Sequence, residues 1–115
     1  MKTLLVIAIV ADELQERATQ IARQYGAQGI TFVEGKGIGF PEHHIFFGLL
    51  FQGLEKMLIF ALDEHRARAA EEALNRELTL EQRFKGLVFS LPVEQAMGMD
   101  VEKIAAYLDQ KERQD

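Results

Sequence analysis

Apolar residues run without a break from Leu4 to Val10. The run is aliphatic and β-branched, of a length that suits a central strand covered on at least one face. Asp12 follows where a helix N-cap would stand. Leu14, Ala18, Ile21, Ala22 and Tyr25 then recur at helical spacing, with Glu13, Glu16, Arg17, Arg23 and Gln24 between them. That pattern predicts a helix packed by one stripe and stopped at Gly26. Ile30-Thr31-Phe32-Val33 reads as a second strand within Gly29 to Glu34, and Met57 to Leu62 as a third. His65 to Leu78 predicts a second helix, with Ala69, Ala70, Ala73, Leu74 and Leu78 available for its buried side. Gly86 to Val93 predicts a fourth strand with Pro92 as an edge breaker. Val101 to Leu108 predicts a short amphipathic helix, and the charged tail Asp109 to Asp115 is expected to fray.

The order is βαβ, a long connection, βαβ and a terminal helix. The halves echo each other: Leu4 to Ala8 before Asp12-Glu13 has a counterpart in Met57 to Ala61 before Asp63-Glu64. Right-handed crossovers interleave two such halves into a ferredoxin-like α+β fold. Its four-stranded antiparallel sheet carries both helices on one face. The other face is left bare by the chain itself, with Phe32, Phe60 and Phe89 expected on it, so self-association is predicted to cover it.

Composition narrows the function. The chain has 115 residues, 48% of them hydrophobic, which suits one domain over 1–115 with a real core. A net charge of −5 leaves no basic face for nucleic-acid phosphates. No cysteine is present, which removes disulfides, thiolate catalysis and zinc–thiolate sites. The opening Met1-Lys2-Thr3 and the short apolar run meet Asp12-Glu13 at once, unlike a secretory signal. No stretch approaches the roughly twenty apolar residues that span a bilayer. A cytoplasmic protein without membrane insertion is the expectation.

Candidate chemistry gathers between the second and third strands. Gly35 to Gln52 holds four glycines, one proline and the pair His43-His44. A connection this long is seldom kept in a compact domain without a use. Gly35-Lys36-Gly37-Ile38-Gly39 lets backbone amides approach a ligand, and the lysine suits an anion. The same glycines also serve a twisted β-arm. His43 and His44, beside Glu42, are candidate metal ligands, although adjacent residues of an extended strand face opposite ways. Phe46-Phe47, Leu49-Leu50-Phe51 and Leu54 fit packing between subunits or a docking surface. Arg66, Arg68, Arg76, Arg83 and Lys85 are more simply solvated than anion-binding. The lone serine, Ser90, lies within a strand and has no nucleophile-elbow context, so no catalytic residue is assigned.

Over about residues 3 to 98 this layout resembles the PII signalling family, the nitrogen-regulatory proteins and their PII-like relatives. The likeness rests on the double βαβ, on Gly29-Ile30-Thr31-Phe32-Val33-Glu34-Gly35-Lys36-Gly37, and on His43 and Phe47-Gly48. Lys56 before the third strand and Leu91-Pro92-Val93 at the end of the fourth add to it. The resemblance implies a homotrimer whose inter-subunit clefts bind an adenine nucleotide, ATP or ADP, sometimes with a second small effector. It implies a T-loop, 35–56, that docks on a target transporter or enzyme. Carried over by position, Gly35, Lys36, Gly37, Ile38 and Gly39 would line one side of the cleft, with Lys56 near the loop base. The phosphate-binding loop would fall on Thr79 to Gly86, where Gly86 is the single glycine and Arg83 and Lys85 supply charge. The C-terminal arginine motif is absent, and Tyr25 and Tyr107 both lie in predicted helices rather than in the loop. The chain thus resembles a divergent PII-like protein, a regulator rather than an enzyme. Two alternatives stand beside it. One is a CutA-like trimer binding a divalent metal through His43 and His44, without that family's cysteine motif. The other is a small ferredoxin-like enzyme.

Overall fold

The computed structural model describes residues 2–36, 45–46, 49–50, 54–80, 86–98 and 100–114. Strand β1 spans Thr3–Ala11 and alternates strictly between buried and half-exposed residues. Leu4, Val6, Ala8 and Val10 are buried against the helices, while Leu5, Ile7 and Ile9 point the other way. A single 3-10 turn, Asp12–Leu14, leads into helix α1, Gln15–Gln24. Asp12 is therefore not the helix cap expected of it. It opens the 3-10 turn, and the residue in the N-cap position of α1 is Leu14.

Helix α1 buries Ala18, Ile21 and Ala22, as its spacing predicted. It ends at Gly26, whose φ of 111° only glycine takes up readily. The Ala27 amide reaches back to the Ala22 carbonyl and the Gly26 amide to Arg23, which satisfies the last carbonyls of the helix.

Strand β2, Thr31–Lys36, is followed by the short pair β3, Ile45–Phe46, and β4, Leu49–Leu50. Strand β5, Leu54–Asp63, is longer than its apolar run, because its first residues pair with the end of β2. Helix α2, Glu64–Glu77, is capped by Asp63, whose carboxylate accepts from the Arg66 amide. Strand β6, Gly86–Pro92, is an edge strand, the setting in which its proline is tolerated. The sheet order is β2-β5-β1-β6, antiparallel throughout.

Helix α3 runs from Val101 to Gln114, so the charged tail is helical rather than frayed. Asp100 caps it by accepting from the Lys103 amide. Ala105 and Leu108 are buried, and Leu108 joins the core between helices and sheet. The outer turns are held by Arg66, which is buried rather than solvated as the sequence suggested. Its guanidinium donates to Asp63 at 2.9 Å, to Asp109, and to Glu112 at 3.3 Å. Burial opposes the charged form, but these hydrogen bonds outweigh it and hold Arg66 firmly protonated.

One layer of apolar side chains lies between sheet and helices. Leu4, Ile21, Leu58, Leu62 and Leu74 are fully buried in it, each contributing about 1.5–3 kcal/mol of burial. The register corrects the reading of the bare face. Phe60 opposes Val6 and Phe32 opposes Leu58, which puts both on the helix side. Of the three phenylalanines only Phe89, opposite Ile7, lies on the uncovered face. That face is apolar all the same, formed by Leu5, Ile7, Ile9, Val33, Met57, Ile59, Leu87, Phe89 and Leu91. Val33 and Leu91 are 45% and 49% exposed on it, far above the fully buried residues of the other side.

Candidate ligand site at the loop-bearing end of the sheet

Directly opposed residues of antiparallel strands share a face. Glu34 opposes Lys56, Lys56 opposes Val10, and Val10 opposes Gly86. One row thus crosses all four strands on the helix side, spanning about 14 Å at the usual strand spacing. Beyond it a second row, Gly35–Glu55–Ala11, faces the uncovered side. The strand ends that lead into residues 37–53 and out of residues 81–85 therefore lie together at one end of the sheet. These are the two segments in which ligand contacts were expected.

Of the expected site residues, Gly35 and Lys36 close β2, Lys56 stands near the start of β5, and Gly86 opens β6. Gly37, Ile38, Gly39, His43, His44, Arg83 and Lys85 lie outside the described residues. Among the described residues no cluster of three or more His, Asp or Glu side chains is placed to hold a metal.

The Lys56 ammonium donates to Glu34 at 2.8 Å and lies 3.6 Å from Asp12. The Glu34 hydrogen bond raises its pKa, with partial desolvation working the other way and Asp12 adding to the rise. A phosphate at this row has to draw Lys56 away from two carboxylates. Asp12 also lines an open hollow of about 670 Å³ between α1 and β2, together with Glu13, Glu16, Arg23 and Phe32. Its acidic rim makes that hollow a poor phosphate site.

Glu55 has no counterpart among the residues expected at the site. It shares the bare face with Met57 and Ile59 by strand alternation, and loss of hydration raises its carboxyl to about 7. The residue types gave no hint, because only the register places an acid beside Gly35 and Ala11 on an apolar surface. Thr79, just past the end of α2, takes a φ of 50°, unusual for a β-branched residue. It stands where the chain turns toward residues 81–85.

The two glycines differ in what the fold asks of them. A Cβ on Gly86 would lie 2.7 Å from the Ile9 carbonyl oxygen and 2.9 Å from Leu80 Cδ2. A Cβ on Gly35 would meet nothing within 4 Å. Gly35→Ala is therefore expected to leave the melting temperature within about 2 °C of the parent, a surface-type change of about 0.5 kcal/mol or less. Calorimetry of the variant checks this. If stability holds while a ligand is lost, the glycine serves close approach of that ligand.

The sheet order and the one-sided helix layer define the fold of the PII-like signalling proteins. A PII-like signalling protein of Thermus thermophilus superimposes with a TM-score of 0.62 at 18% identity, over 81% of this chain and 87% of its own. CPII of Thiomonas intermedia K12, a nitrogen regulatory PII-like protein bound to ADP, AMP and bicarbonate, gives 0.61 at 19% identity, over 86% and 98%. Its apo form gives 0.60 at 22% identity, over 81% and 90%. No protein-family model and no curated protein matches the sequence.

Proposed function

We propose that this chain is a PII-like regulatory protein, not a catalyst. It binds an adenine nucleotide, with or without a small second effector, between subunits of a homotrimer. Residues 35–56 then carry the state of the site to a target enzyme or transporter in the cytoplasm. The observation that carries the reading is the row Glu34–Lys56–Val10–Gly86, which brings the roots of both candidate loops to one end of a sheet with the PII-like fold. The bare apolar face supports assembly, since a surface of that kind on a chain with an acidic exterior is best covered by another copy. In CPII, the same fold holds ADP, AMP and bicarbonate. Within this reading Gly35, Lys36, Gly37, Ile38 and Gly39 approach the nucleotide. Arg83, Lys85 and Gly86 face its phosphates, and Lys56 reaches it once released by Glu34 and Asp12.

The test is a thermal-shift and calorimetric screen of the purified chain against ATP, ADP, AMP and bicarbonate, with mass determined by light scattering. A trimer should gain about 2.7 kcal/mol from a nucleotide at a hundred times its dissociation constant. The gain should vanish in Gly37→Asp. A trimer indifferent to every nucleotide would remove the nucleotide from the proposal, and a monomer would remove the assembly.

A further inference from the structure

Among the described residues, the bare face carries one ionisable side chain that is not paired with a cation. Glu55 lies in the last row of that face, between Gly35 on β2 and Ala11 on β1. Neither neighbour has a side chain long enough to shield it or a charge to match it. Along the face come Met57 and Ile59 on its own strand, Val33 on β2 and Ile9 on β1, all apolar. The other charged groups of the packed elements face the other way or are paired. Glu34 on β2 and Asp12 after β1 both pair with Lys56 of β5 on the helix side. Asp63, at the far end of β5, falls in a bare-face row with Thr3 by register, but its carboxylate is buried and paired with Arg66 at the start of α2. Among the side chains the structure describes, Glu55 is thus a carboxyl without a cation beside it, set into the apolar surface that a second copy would cover.

We infer that Glu55 gates self-association through the bare sheet face: copies join while its carboxyl is neutral and separate when it ionises. This rests on the proposed assembly and names its regulation. An apolar face that is otherwise without unpaired charge among the described residues suits a second copy, because two such faces meet without charge repulsion. The chain has no basic rim on the described part of that face to draw it to a lipid surface. Covering the face strips water from Glu55, which a neutral acid tolerates and a carboxylate resists.

Partial burial already lifts the carboxyl from 4.5 to about 7 in the single chain. The sign follows from linkage. In the folded single chain the carboxyl keeps its proton up to about 7, and covering it in an assembly raises that value further, so joining leaves the proton count unchanged below 7. The contribution to association is therefore complete below about 7 and is lost as pH rises above it. Above 7 each subunit takes up about one proton on joining.

The experiment is sedimentation equilibrium of the full chain from pH 5.5 to 8.5, run on the parent and on Glu55→Gln. The amide keeps the shape and cannot ionise. In the parent, the association constant should fall about tenfold per pH unit for each subunit joined once pH exceeds 7. In Glu55→Gln it should stay within about threefold across the range. Equal pH dependence in both proteins, or none in either, would overturn the gate while leaving assembly in place. A chain that stays monomeric at every pH in both forms would overturn assembly and gate together.

Discussion

Arg66→Ala is expected to destabilise the chain by about 3–5 kcal/mol, the usual result of leaving a buried charge without its partner. Asp63 is 8% exposed and depends on Arg66 for its charge pairing, while it also caps α2 through the Arg66 amide. Asp109 and Glu112 are largely exposed and return to water when the guanidinium goes. The damage should therefore divide. Global stability, measured by urea unfolding, falls because of Asp63, and α3 loosens because its outer turns lose their anchor. Hydrogen exchange reads the second effect, with α3 amides exchanging faster relative to those of β1. Asp63→Asn in the same background should recover part of the urea loss and none of the α3 protection. A loss under about 1 kcal/mol would mean that the cluster behaves as an exposed ion pair.

Gly86→Ala is the second large effect. The added methyl has nowhere to go, since the contact at 2.7 Å is with the backbone oxygen of Ile9 on the central strand. Leu80, itself buried, closes the other side. Overpacking of this kind costs about 1–3 kcal/mol, or a fall of several degrees in melting temperature for a domain of this size. The start of β6 is displaced, and with it the root of residues 81–85. The contrast with Gly35→Ala separates glycine kept for the fold from glycine kept for a ligand. A Gly86→Ala protein as stable as its parent would show that β6 shifts freely at its start.

The strands and first two helices are legible in the sequence because their signals are local. The apolar run of β1, the stripe of α1 and the stop at Gly26 each depend on residues within a few positions of one another. Expectation and structure part where a partner distant in the sequence decides. The tail beyond Leu108 looks too charged to order until Arg66 is brought beside Asp109 and Glu112. Arg66 looks like a surface residue for the same reason. Phe60 lies on the face opposite to the one expected because alternation tells which residues share a side, not which side the helices take. Helix α2 shows the same limit, burying Ala67 together with Ala70 and Ala73. At the site, the glycines and lysines stand out as residue types. The commitment of Lys56 to Glu34 and Asp12 is a property of the register, and Glu55 has no local signature at all.

The pairing of β1 also bears on how the chain reaches this state. Its first strand occupies the centre of the sheet, yet Leu4 pairs with Leu62 and with Pro92, from the middle and the last part of the sequence. Both edges of the most apolar segment must wait for partners that a ribosome delivers much later. Contacts of such long range make folding slow. During synthesis the Leu4–Val10 segment emerges before either of these partner strands, which makes it a part of the nascent chain in need of a chaperone.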